Sequence, residues 1–406
     1  MNHDLAGFLA HQRALIEAGL RSRLPSSPVS GAARLNEAVN YALFPGGQRW
    51  RPVFTLLGVA LIRHSDSRVD DDSLSVACAI EFLHTSSLIF DDLPAMDDAD
   101  LRRGKPALHL VFSEAQAILV ALALLNQSYA LLGAVRPSEA AQKLVHEATL
   151  SIGCSGMIGG QAADLHECED RRSSSFVGGR NLKTTALTRL MMTAGAIAAG
   201  APDEDVLALA RFGECLGLAY QVYDDLLDCC EEGPASKTAR QDVRLSRPSA
   251  VFDLGVDGAL TLGLDAVEEG IGVLHARFEE SLARKTIVSA ARHLFRGLTE
   301  TRFANLPRAA GREGASPAQN RTVVAPESGP SQLASGTTPW PSSRTSRFAL
   351  PESSTSGGVA QPCSTLTRSK RRTRQKGAAA AISAHASSDA TAQAAMTGSA
   401  GVTPKR

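Results

Sequence analysis

Leu, Ala, Val and Ile recur at three- and four-residue spacings along most of the chain, as in SLSVACAIEFLHTSSLIF (residues 73–90) and EAQAILVALALLNQSYALL (residues 114–132). That period is helical, and in places the apolar side chains run nearly all round, which predicts several buried helices. Convincing strands with strict alternation are absent. Breaker clusters separate the helical stretches: Pro45-Gly46-Gly47, Arg136-Pro137, Arg171 to Gly179, Gly200-Ala201-Pro202 and Glu231 to Pro234. The pattern predicts an all-α domain over residues 1–306, a large antiparallel bundle of roughly ten helices around a cavity.

The pattern fades near Pro307. Residues 307–406 are dominated by Ser, Thr, Pro, Gly and Ala. Such a stretch buries too little apolar surface to offset its ordering entropy, so a disordered tail is expected. Its basic cluster, Arg368, Lys370, Arg371, Arg372, Arg374 and Lys376, reads as a solvated stretch of that tail.

Composition narrows the class. The 406 residues carry 42 basic and 42 acidic side chains, so no electrostatic reason exists to expect nucleic acid. Aromatics are 5% of the chain, which favours helices over a β-sandwich. The seven cysteines show no paired spacing, which argues against zinc and against a disulfide framework. A reducing compartment fits, and no signal peptide is read at the N-terminus, so a cytoplasmic protein is expected. The longest unbroken apolar run, Ala117–Leu125, is short against the roughly 20 residues that cross a bilayer, so no transmembrane segment is expected.

The chemistry lies where the apolar pattern is broken. Asp91, Asp92, Asp97, Asp98 and Asp100 follow directly on Leu88-Ile89-Phe90, and Arg102-Arg103 closes the stretch. A second cluster, Asp224, Asp225 and Asp228, sits in an apolar helix. Asp224 and Asp228 are four apart and share one face. Like charges so placed repel, and more so where apolar neighbours exclude water. A cation between them removes the conflict. All-oxygen donors select a hard divalent ion, Mg²⁺ or Mn²⁺, and Mg²⁺ is usually held by one or two carboxylates plus substrate phosphates. Two such clusters across a helical cavity therefore suit a metal–diphosphate. Candidate cations for the phosphates are Arg49, Arg51, Arg102, Arg103, Lys183 and Lys237.

These stretches resemble the trans-isoprenyl diphosphate synthases. DDLPAMDDADLRRGKPALH, from Asp91 to His109, matches that family's first aspartate-rich motif. QVYDDLLD, from Gln221 to Asp228, matches its second. PGGQRWRP, GMIGGQAADL, LKTTALT and SKTARQDVRLSRPSAVFDLG match further motifs in the family's order, across roughly Leu35 to Leu306. The resemblance implies condensation of isopentenyl diphosphate with an allylic diphosphate by a homodimer. It implies metal binding by Asp91, Asp92, Asp97, Asp224 and Asp228, with Asp225 completing the second cluster. Arg102, Lys183, Thr184, Gln221 and Lys237 would meet the allylic substrate or its leaving group. Gln48, Arg51, His84 and Arg103 would line the isopentenyl site.

Three departures stand out. Gln48 replaces the family's Lys, Ala121-Leu122 replaces a common Gly-Asp pair, and Arg247 stands where many relatives have Lys. In the family, a bulky aromatic four or five residues before the first Asp stops growth at fifteen carbons. Here Ser87 and Ser86 hold those positions, so a C20 product, geranylgeranyl diphosphate, is expected. The four-residue spacer Leu93–Met96 also shortens products in the family, which leaves farnesyl diphosphate (C15) as the alternative. A terpene cyclase and a non-catalytic partner subunit are the remaining rivals. Neither needs both intact Asp motifs together with the RRGKP continuation.

Overall fold

The structure is a computed structural model that describes residues 5–64, 69–167, 181–229 and 249–299. All of these belong to one unit of the chain, Met1–Gly329. The boundary expected near Pro307, the tail beyond it, and the breaker clusters at Arg171 to Gly179 and Glu231 to Pro234 lie outside the described residues.

The described residues are helical almost throughout, as the three-to-four periodicity predicts. In order they form α1 (Leu5–Ser22), α2 (Ala33–Leu43), α3 (Trp50–Arg63), α4 (Asp71–Asp91), α5 (Leu108–Phe112), α6 (Glu114–Gly133), α7 (Ser138–Ile152), α8 (Met157–Glu167), α9 (Asn181–Ala198), α10 (Asp203–Asp228), α11 (Ala250–Arg277) and α12 (Leu282–Leu294). The breakers at Pro45-Gly46-Gly47, Arg136-Pro137 and Gly200-Ala201-Pro202 fall between helices, as expected. One element departs from the all-helical expectation. Leu101–Arg102 and Lys105–Pro106 form a short antiparallel hairpin, β1–β2. Arg103 (φ 55°) and Gly104 (φ 77°) make its two-residue turn. Positive φ at both central positions is the geometry whose twist matches antiparallel strands, and the second is a glycine.

Helix α4 is the axis of the core. Asp70 caps it, accepting from the Ser73 amide at 2.8 Å, and Asp71 and Asp72 add favourable charge in its first turn. Its residues are buried on nearly every side against α3, α6 and α9, which explains the lack of a single apolar stripe in its sequence. Helix α10 lies along α9 and α11. Close approach to α9 requires Gly217, because a Cβ there would sit 2.3 Å from the Thr188 hydroxyl and 2.7 Å from the Thr185 Cα.

Helices α4 and α6 are each long and apolar enough to cross a membrane, a feature the unbroken-run count missed because α6 continues apolar beyond Leu125. Most of the apolar stretch of α4 lies inside the core, whereas only about a third of that of α6 does. Leu110, Val111, Ile118, Leu119 and Leu122 remain exposed on α5 and α6.

Candidate active site

The first acidic cluster forms where α4 ends. His84, Ser87 and Asp91 are spaced three and four residues apart and share one face of that helix. After Asp91 the chain folds back on itself. The Met96 amide donates to the Leu93 carbonyl (2.9 Å), Asp97 to that of Asp91 (2.9 Å) and Asp98 to that of Leu93 (3.1 Å). The four-residue spacer therefore returns Asp97 beside Asp91, where the two carboxylates repel. The hairpin then brings Arg102 back to Asp92, with Nε donating to both carboxylate oxygens at 3.0 Å and Nη2 adding a third contact. Asp92 thus holds Arg102 in place, a task that its metal assignment did not anticipate. The hairpin is fastened to α2. Tyr41 Oη donates to the Pro106 carbonyl (2.8 Å), and Lys105 Nζ donates to the carbonyls of Phe44 (3.0 Å) and Tyr41.

The second cluster stands at the C-terminal end of α10, and α9 links the two. Lys183 Nζ lies 3.0 Å from Asp91 Oδ1, while the next residue, Thr184, donates its hydroxyl proton to Gln221 Oε1 at 2.8 Å. Gln221 Nε2 donates in turn to Asp225 Oδ1 (2.9 Å), and Asp225 Oδ2 accepts the Ala250 amide that opens α11 (2.7 Å). Asp225 is therefore a strut that fixes Gln221 and joins α10 to α11. Asp224 and Asp228 lie on the neighbouring face. Adjacent residues of α9 thus contact the two Asp motifs, Lys183 the first and Thr184 the second. Lys237 and Arg247 lie outside the described residues.

Arginines dominate the third side. Arg51 is buried, and its Nη1 lies 2.9 Å from His84 Nε2. Its guanidinium sits 4.4 Å from the Trp50 ring centroid and 5.4 Å from that of Tyr220, and these two rings stack at 5.3 Å. Arg51 Nε is buried without a hydrogen-bond partner. A guanidinium held so, with a donor to spare, suits an incoming phosphate oxygen. Burial lowers the Arg51 pKa against the pull of Tyr220, Glu81 and Asp224. Burial, then the charges of Arg51, Arg103, Arg102 and Arg49, hold His84 well below its usual 6.5, so it stays neutral at pH 7.

One sequence candidate is corrected. Arg49 is not available to phosphate, because its donors go to Glu17 (2.7 Å), Glu81 (2.5 Å) and the Leu43 carbonyl (2.6 Å). Sequence reasoning also passed over Glu81. Its signal was a lone charge in an apolar helix, three residues before His84. Gln48 is exposed at the loop before α3.

The donors fit a hard divalent cation. Burial raises the pKa of Asp91 and of Asp92, only partly offset by Lys183 for the one and Arg102 for the other. Carboxylates kept at such a cost gain most when a cation arrives. Among the described residues no three His, Cys, Asp or Glu side chains converge closely enough to hold a metal alone. Completion of the shell by phosphate oxygens is the arrangement Mg²⁺ favours.

The family model described as polyprenyl synthetase matches residues 32–257. The farnesyl diphosphate synthase of Bacillus subtilis is 37% identical over 247 residues, covering 59% of this chain and 80% of that protein. Geranylgeranyl pyrophosphate synthase 12 of Arabidopsis thaliana is 39% identical over 263 residues, covering 61% and 71%. Among solved structures, an FPP/GFPP synthase of Zymomonas mobilis superposes with TM-score 0.62 at 29% identity, covering 72% of this chain and 99% of that one. A geranyltransferase of Helicobacter pylori complexed with magnesium and isoprenyl diphosphate gives 0.64 at 28%, covering 73% and 99%. A match over more than half of the chain, on a fold shared with solved synthases, makes this protein a member of the polyprenyl synthetase family, a prenyltransferase of the farnesyl and geranylgeranyl diphosphate synthase type.

Proposed function

We propose that the protein condenses isopentenyl diphosphate head-to-tail with an allylic diphosphate, in the presence of Mg²⁺, to give geranylgeranyl diphosphate. The observation that supports this is that two adjacent residues of α9 reach the two acidic motifs, Lys183 at Asp91 and Thr184 at Gln221. Asp91, Asp97, Asp224 and Asp228 would hold the metal, which, when bound, draws off the charge that builds on the departing diphosphate. Lys183 and Arg102 add fixed positive charge on the same side. Arg51, Arg103 and neutral His84 hold the diphosphate of isopentenyl diphosphate so that its alkene faces the allylic carbon. Thr184 and Gln221 turn oxygens toward the positive charge there. The deciding test is product analysis with purified protein, labelled isopentenyl diphosphate and each allylic diphosphate in turn. A C20 diphosphate is expected; a cyclic hydrocarbon, or no elongation, would sink the proposal, and a C15 end product would sink its chain-length half.

Chain length is proposed to follow from the small residues below Asp91. Ser86 is buried against α6, where its hydroxyl donates to the Ala121 carbonyl at 2.9 Å. Ser87 is half-buried and donates to the His84 carbonyl. Ala121, in place of the family's glycine, packs on this seam with no exposure. Ser86→Phe is expected to shorten the main product by at least one five-carbon unit, read by chromatography of the dephosphorylated alcohols. An unchanged product would show that this position does not floor the tunnel.

Gln48 leaves the isopentenyl half one cation short of the family pattern. Gln48→Lys is expected to lower the KM for isopentenyl diphosphate severalfold, since one added charge–phosphate contact contributes roughly 1 kcal/mol at an exposed position. An equal or higher KM in initial-rate assays would count against it.

We also propose a homodimer formed through the α5–α6 face. Leu110, Ile118, Leu119 and Leu122 are each 40% exposed or more, and Leu122 stands where many relatives carry Asp. A contiguous apolar face of this kind suits a partner surface. Sedimentation is expected to show a dimer that Leu119→Glu dissociates; a wild-type monomer would refute it.

A further inference from the structure

We infer that Glu81 is a positioning residue for the isopentenyl diphosphate half of the site, holding the Arg103 and Arg49 guanidiniums with one buried carboxylate oxygen. The inference rests on the proposed function for the identity of that half-site.

Three independent observations carry it. The first is contact geometry. Glu81 is 2% exposed, on α4 one turn before His84. Its Oε1 lies 2.5 Å from Arg49 Nη1 and 3.9 Å from Arg103 Nη2. The shorter contact is a charge-assisted hydrogen bond. The longer is electrostatic only, so Arg103 is drawn into place while Glu81 takes none of its donors.

The second is backbone strain. Arg49 (φ 56°), the residue before α3, has left-handed backbone, which residues with a Cβ rarely adopt, whereas Arg103 (φ 55°) has it as the first turn residue of the β1–β2 hairpin. Strain of this kind persists where surrounding contacts over-determine the conformation. Here Arg49, whose left-handed φ lies outside any hairpin turn, is held by Glu81, Glu17 and the Leu43 carbonyl together.

The third is the glycine pair in the loop above. A Cβ on Gly46 would lie 2.0 Å from the Arg49 guanidinium, and one on Gly47 would lie 3.3 Å from Arg103 Nε. The loop therefore packs directly on the two guanidiniums at positions that carry no side chain.

The arrangement has a chemical purpose. Arg49, Arg51 and Arg103 crowd one buried region, with Arg51 also against His84. Without an anion beneath them they would spread apart before a diphosphate arrived. Glu81, braced by Arg49, keeps Arg103 beside Arg51, so the substrate meets a formed cradle of Arg51 and Arg103. Arg49 extends the arrangement outward, because its Nε also donates to Glu17 on α1 at 2.7 Å. Glu17 therefore anchors the N-terminal helix to the cradle from the solvent side, whereas Glu81 anchors the cradle itself.

That difference supplies the test. Wild-type protein is first assayed for elongation of an allylic diphosphate; failure there refutes the proposed function and not the role of Glu81. With a working wild type, Glu81→Gln is expected to raise the KM for isopentenyl diphosphate about tenfold, with kcat and the allylic KM within about twofold. Glu17→Gln is expected to lower the melting temperature while leaving the isopentenyl KM within about twofold. Should Glu81→Gln fail to fold, Glu81→Gln combined with Arg49→Gln removes the buried pair together and is expected to show the same KM defect. The inference is overturned if the Glu81 variant that folds leaves the isopentenyl KM unchanged, if both substrates' KM values rise alike, or if Glu17→Gln produces the same KM defect.

Discussion

Asp91→Asn is expected to lower kcat by about a thousandfold while leaving the protein folded. The carboxylate sits at the end of α4 with Lys183 3.0 Å from one oxygen and Asp97 folded back beside it. Replacing it with an amide removes a charged oxygen donor where the metal–diphosphate is proposed to bind. A metal acting as a Lewis acid contributes several kcal/mol to a transition state that develops charge, and each 1.4 kcal/mol or so is a factor of ten. Stability should move the other way. Burial raises the Asp91 pKa, which means the folded state disfavours its ionised form despite Lys183. Above both the unfolded and the raised folded pKa, that cost is fully present; it fades as pH falls through the folded value. An uncharged Asn of the same shape avoids it, so the melting temperature of the metal-free variant at pH 7 should not drop. Rates at saturating substrates, with thermal melts of the same samples, check both halves. A kcat within tenfold of wild type removes Asp91 from the metal-binding set.

Arg51→Met is expected to act on one substrate only. Arg51 contacts His84, lies over Trp50 and Tyr220, and retains a buried Nε without a partner. Two charge-assisted hydrogen bonds to phosphate, each contributing about 1.5–3 kcal/mol, would be lost. The KM for isopentenyl diphosphate should rise by about a hundredfold, and the allylic KM by no more than a few-fold. Met fills much of the same space beside the two stacked rings, and burial already works against the charged form of Arg51, so the fold should survive. Equal increases in both KM values would mean that Arg51 supports the cavity as a whole and does not select one substrate.

The two substitutions look alike in the sequence, since each removes a charge from a motif, yet they are assigned to different substrates. Spacing could show that Asp91 and His84 share a helix face, because the period of an α-helix is a local property. It could also show that α4 is buried, because Glu81 and His84 are the only acidic or basic side chains between Ser73 and Phe90. Nothing local distinguishes Arg49 from Arg51. They are two residues apart, equally basic, and both lie in PGGQRWRP. Helix geometry and the left-handed turn at Arg49 send one toward Glu17 and Glu81 and the other toward His84 and Tyr220.

The same contrast runs through the acidic motifs. Asp224 and Asp225 are adjacent and chemically identical, but Asp225 accepts from Gln221 and from the first amide of α11. Asp92 is taken by Arg102, although Asp91 beside it faces Lys183. The hairpin that returns Arg102 to Asp92 was missed because two-residue strands carry no alternation to read; its trace was Arg103-Gly104, a turn signal read only as part of a motif.

The sequence by itself determined the helical class, the helix breaks at three breaker clusters and the family. Each of these depends on residue order within a short window, which periodicity and motif spacing record directly. Tertiary structure alone decided which arginine is spent on carboxylates and which lies against His84 and Tyr220, which carboxylate ties helices together, and which face of α6 stays uncovered. Those outcomes depend on partners distant in sequence, 32 residues apart for Arg49 and Glu81 and 92 for Lys183 and Asp91, and charge and hydrogen-bonding capacity acquire a role only once packing has chosen the neighbour.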